Sequence, residues 1–171
     1  MIQQTSKLVG LLFETWEDMD RVFAGLDPAE VVHQVDGGSS YAWTLARTTN
    51  QVAAYINVRF QQRTSHALID QDRFRFGGTG VADDWQAIQL GVEEVRAAAR
   101  RFLQGMDDPG LDIVVPYDGS LVYLRERGLS LRYVLFRIIT HHYYHIGEIA
   151  TKRDLRGQSV GDYLGMLELR I

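Results

Sequence analysis

The sequence contains no cysteine, which excludes disulfides, thiolate metal sites, iron–sulfur clusters and a cysteine nucleophile. It has only three prolines, at positions 28, 109 and 116, so long helices can form almost everywhere else. Positive charge is not in excess: 18 Lys and Arg stand against 22 Asp and Glu, a net charge of −4. With no basic run either, phosphate neutralisation is weak and nucleic-acid binding is disfavoured. No apolar stretch approaches the roughly 20 residues of a membrane span. Met1 to Lys7 lacks the charged-then-apolar layout of a signal peptide, so a cytoplasmic location is expected. What is present suits a folded chain. Of 171 residues 46% are hydrophobic, enough for one domain over residues 1–171 with a sizeable core.

The apolar periodicity is helical. Leu8, Leu11, Leu12, Trp16, Met19, Val22, Phe23 and Leu26 recur at three- and four-residue steps, predicting a first helix from Lys7 to Leu26. Glu14, Glu17, Asp18 and Arg21 fall mostly on its other side, which reads as a solvated face, although Glu14 and Asp18, four apart, could also approach the bundle centre. Asp27-Pro28-Ala29-Glu30 marks a new start, with Asp27 as cap and Glu30 as the reciprocal member of a capping box. After Gly37-Gly38, Ser39 or Ser40 can cap a second long helix reaching Arg63. Asp83 or Asp84 opens a third, Trp85 to Leu103, and Ser130 a fourth, Leu131 to Arg156, closed by Gly157. A long loop before the fourth helix holds a short β-prone piece, Ile113-Val114-Val115. The partly apolar tail, Ser159 to Ile171, is expected to pack back. The pattern predicts an all-α four-helix bundle.

The chemistry gathers in the fourth helix. Three of the five histidines lie in Thr140-His141-His142-Tyr143-Tyr144-His145-Ile146-Gly147-Glu148. His141 and His145, four apart, project from one face and can share a divalent metal. Arg137, Glu148 and Lys152 extend the same polar stripe. This is not the zinc-protease motif, because His142 stands where that motif needs a glutamate. Imidazoles satisfied by ordinary hydrogen bonds are the plainer reading of the spacing alone. Tyr143 and Tyr144 read as packing residues.

Two stretches resemble a known family. Arg132 to Ile149 looks like the last helix of the DinB/YfiT-like superfamily of four-helix-bundle metalloenzymes. Gly37-Gly38-Ser39-Ser40-Tyr41-Ala42-Trp43-Thr44-Leu45-Ala46-Arg47 is similar to the start of that family's second helix. The resemblance implies a nickel or zinc ion held by three side chains, usually His. One comes from the second helix and two from the pair in the last, here His141 and His145. It also implies a small-molecule transferase or hydrolase in which the metal activates a low-molecular-weight thiol or a water. Glu148 would then act as base or hold a ligating imidazole. Such bundles often pair, so a homodimer is expected.

One position departs from the pattern. Where the family has its first His, this sequence has Arg47, with Thr44 three residues earlier. A guanidinium stays protonated and cannot serve as an ordinary ligand. Beside a dication, at about 4 Å and an effective dielectric near 20, each unit of charge costs of order 4 kcal/mol before relaxation. His33 and His66 are the other candidates for a third ligand, and Asn50 or Gln51 would face the site if the register shifts by one turn. The alternative to the metalloenzyme is a metal-free member of the fold. It would bind a small anion through Arg47, Arg137 and the histidines, or serve as a structural or dimerising unit.

Overall fold

The computed structural model describes residues 5–35 and 37–161. The tail Ser159–Ile171 lies outside the described residues from position 162 onward. Four long helical rods form the bundle. They are α1 (Lys7–Phe23), α3 (Tyr41–Gln51) with the π-helix Val52–Phe60 continuing it, α4 (Trp85–Leu103) and α6 (Leu131–Asp154). Two short helices, α2 (Pro28–Val31) and α5 (Tyr123–Arg127), lie in the connections. The β-prone piece becomes β1 (Val114–Val115), which pairs antiparallel with β2 (Leu129–Ser130) just ahead of α6.

Side-chain caps set where the rods begin. Backbone N–H groups of Leu8, Trp43, Ala87 and Tyr133 donate to Ser6, Ser40, Asp84 and Ser130. Each acceptor satisfies one of the donors that a helix start leaves open. Asp27 caps α2 in the same way. Glu30 makes a different bond from the one the capping box predicts, accepting from Gln158 at 3.3 Å. The first helix stops at Phe23, three residues earlier than its periodicity suggests. There the buried Arg153 guanidinium donates to Val22 O at 2.8 Å and Ala24 O at 2.9 Å, satisfying carbonyls at the end of the rod.

α1 lies along α6, while α3 and its π continuation bridge α4 and α6. Val9, Leu12, Trp16, Met19 and Val22 of α1 meet Val134, Leu135, Ile138, Ile146 and Ile149 of α6 in one continuous core. Each such side chain contributes about 1.5–3 kcal/mol when fully buried.

Three further sequence readings change. Glu14 and Asp18 are buried, at 0% and 1% exposure, and are not a solvated face. Arg21 pairs with Asp18 and stands 3.6 Å from Glu14, and the Tyr143 hydroxyl donates to Asp18 at 3.0 Å. A carboxylate can be buried when such partners meet it. Tyr144 is 74% exposed and packs into no core. The second rod is α-helical only to Gln51, beyond which the wider i→i−5 hydrogen bonding takes over to Phe60. Stretches of this kind occur frequently at functional sites. No helix among the described residues is long and apolar enough to cross a membrane.

Candidate functional site

The site is built on α6, where Arg137, His141, His145, Glu148 and Lys152 recur every three or four residues. The Nδ1–H of His145 donates to Glu148 Oε2 at 2.7 Å. Lys152 Nζ donates to the other oxygen of Glu148 at 2.5 Å. Ser39, from the segment before α3, reaches Glu148 Oε1 at 3.3 Å and receives Lys152 on its carbonyl at 3.1 Å. The Ser39 hydroxyl also lies 3.0 Å from that of the buried Thr44. Donation from His145, and then from Lys152, holds the Glu148 carboxyl down to about 2 despite its partial burial. Glu148 is therefore an anion whose oxygens are both occupied.

The other end of the stripe is cationic. The His141 and His145 rings meet edge to face, with centroids 4.6 Å apart. Burial first, then His145, Arg47 and Arg137, push His141 down to about 3, so its imidazole is neutral near pH 7. Its Nδ1 is buried without a hydrogen-bond partner. Burial lowers Arg47, and the groups that act on it besides burial are Tyr55 and Arg137. Arg137 lies 6.0 Å over the Tyr55 ring, and its Nε is buried and unpartnered. Tyr55 and Tyr133 outweigh burial and hold Arg137 above its ordinary range. Among the described residues neither Arg47 nor Arg137 forms an ion pair with a carboxylate.

The structure thus brings Arg47, Arg137, His141, His145 and Glu148 into one region, and leaves the other candidates elsewhere. His33 is exposed in the turn after α2. His66 holds a turn: its Nδ1 accepts from Leu68 N at 3.2 Å and Ile69 N at 3.1 Å, while Nε2 faces Glu94 at 3.0 Å. Asn50 donates to Ile69 O at 3.0 Å on that same side. His142 is fully buried in the core, donating Nδ1–H to Ile138 O at 2.9 Å. Sequence reasoning left Tyr55, Ser39 and Lys152 without site roles. Only Lys152 carried a signal, its place one turn beyond Glu148.

A three-histidine metal site does not match this donor set. Two imidazoles are present, both Glu148 oxygens are taken, and a guanidinium acts on His141 from the second rod. No group of three His, Cys, Asp or Glu that could hold a metal occurs among the described residues. The residues present instead form two fields side by side, a locked carboxylate–imidazole pair and a pair of guanidinium groups with no carboxylate partner among the described residues.

An all-α bundle with its polar cluster on the last long helix, facing the second, defines the structural class. Residues 11–149 match the DinB superfamily, and the chain belongs to it. No curated protein matches the chain.

Proposed function

We propose that this member of the DinB superfamily binds a small anionic molecule without a metal, through Arg47 and Arg137 beside a neutral His141. One observation carries the reading. Two guanidinium groups act on the same half-buried imidazole, and no carboxylate among the described residues pairs with either. Partly buried like charges repel unless a counter-charge joins them, and a phosphate or carboxylate supplies it with charge-assisted hydrogen bonds. The fixed positive charge of Arg47 takes the part that a metal ion would have in a three-histidine site.

The His145–Glu148 pair favours the competing reading, a metal-dependent thiol transferase or hydrolase. With Nδ1–H committed to Glu148, the Nε2 of His145 is left as an acceptor or ligand. Titration calorimetry with inorganic phosphate and with acetate, on tag-free protein, separates the two. Binding that weakens by about tenfold or more in Arg47→Gln supports the anion site. No binding of either anion, together with near one nickel or zinc per chain after dialysis, overturns it in favour of the metalloenzyme.

A further inference from the structure

A cationic cleft lies beside the π-helical end of the second rod. Its volume is about 560 Å³, and its walls include Arg59, Arg125, Arg127, Tyr117, Asp118 and Glu126. Three arginines there stand against two carboxylates. The Arg59–Asp118 pair, at 2.8 Å, has its aspartate side chain 90% exposed, and pairs of that kind are weak and readily exchanged. The Arg127 side chain has no hydrogen bond or ion pair among the described residues.

Tyr117 and Tyr55 connect the cleft to the Arg47–Arg137 site. The Arg59 guanidinium sits 4.7 Å over the Tyr117 ring. Tyr117 in turn acts on the Tyr55 phenol, by charge and by hydrogen bonding, and Tyr55 is the ring that faces Arg137. The π-helix Val52–Phe60 carries both Tyr55 and Arg59, and its wider turn keeps these residues, four apart, on the side of the rod that Arg47 occupies. Twelve residues separate Arg47 from Arg59, at most about 18 Å along the axis at 1.5 Å per residue. Two phenol rings line the interval.

Resting on the anion-binding reading above, we propose that the site continues from Arg47 and Arg137 past Tyr55 and Tyr117 into the Arg59 cleft. Its ligand is then an elongated molecule with an acidic group at each end and an apolar or aromatic body between. One acidic group meets Arg47 and Arg137; the other displaces Asp118 from Arg59 and gains Arg127. The two tyrosine rings cover the body.

The test is calorimetric titration of the full chain with straight-chain α,ω-dicarboxylates from hexanedioate to dodecanedioate, and with the monocarboxylates of equal length. The expected result is an optimum among the longer diacids, about tenfold tighter than the matching monoacid, because the second contact is made at high effective concentration. Arg59→Gln is expected to remove that gain, bringing the diacid down to the affinity of the matching monoacid, and Arg127→Gln to reduce it. Equal affinities for diacid and monoacid at every length, with phosphate still bound, would overturn the second subsite and leave the anion site standing. Failure of phosphate and of every acid to bind would overturn both. The unchanged thermal transition of the Arg59→Gln protein serves as the control for folding.

Discussion

The imidazole of His145 and the carboxylate of Glu148 are joined by a 2.7 Å hydrogen bond within one turn of α6. A carboxylate with its proton lost can only accept, so Nδ1 carries the hydrogen and Nε2 keeps its lone pair. That bond sets the chemistry of the whole stripe, because Glu148 also gathers Lys152 and Ser39.

Removing the carboxylate should therefore alter both stability and its pH dependence. Glu148 is held at about 2, below its ordinary value, chiefly by donation from His145. Its stabilisation is full above the unfolded value near 4.5 and is lost as pH falls toward about 2. Glu148→Gln is expected to cost about 1 kcal/mol at pH 7, a figure reduced for its partial exposure. It should also flatten the unfolding free energy between pH 5 and 3, measured by urea denaturation at each pH.

The imidazoles of half-buried His141 and buried His142 add an acid slope of their own. Burial is the first cause that brings both His141 and His142 down to about 3. Between the ordinary histidine value of about 6.5 and that folded value, the unfolded chain binds more protons. Stability therefore falls as pH drops through this window. Histidine ring signals in NMR should show these two neutral at pH 5, and a resonance that titrates near 6.5 from either would contradict the burial.

Arg153 ties the end of α6 to the end of α1. Its Nη1 serves Val22 O and Ala24 O, and its Nε serves Gln158 O at 3.1 Å. Arg153→Ala leaves those carbonyls without their donor and is expected to cost about 2–3 kcal/mol. A loss under about 0.5 kcal/mol in chemical denaturation would show that water replaces the guanidinium freely.

Gly78 is a backbone contact that accepts no side chain. A Cβ there would stand 2.0 Å from Arg73 O, the carbonyl that accepts the Trp43 indole N–H at 2.6 Å. Gly78→Ala must move that backbone and strain the indole bond. A destabilisation of about 2 kcal/mol or more is expected, read as a lowered thermal midpoint.

Arg47→His restores an imidazole to the second rod. It removes the charge that acts on His141 and supplies a third neutral donor. Zinc and nickel affinity should rise by about tenfold or more over the parent protein, measured by competition with a chromogenic chelator. Unchanged affinity would show that Arg47 does not occupy the third-ligand position.

Much of this was legible before the fold was known. The starts of the second, third and fourth rods followed from Ser39 or Ser40, Asp83 or Asp84, and Ser130, of which Ser40, Asp84 and Ser130 are the caps, because capping is a contact between near neighbours in sequence. The shared face of His141, His145 and Glu148 followed from helical spacing alone. Spacing allowed Glu14 and Asp18 an inward approach but favoured a solvated face, since their partners include Tyr143, 125 residues from Asp18. Ser39 read only as a cap for the same reason. Its bonds to Glu148 and Lys152 cross 109 and 113 positions.

The sequence by itself determined the helical class, the rod starts and the composition of the α6 stripe, all properties of three- and four-residue spacing. The tertiary structure decided what that stripe faces. It set Arg47 and Arg137 against His141, locked Glu148 between His145 and Lys152, and widened the second rod into a π-helix after Gln51. The choice between i→i−4 and i→i−5 bonding depends on how a rod packs against its neighbours, and charges interact through space whatever their separation along the chain.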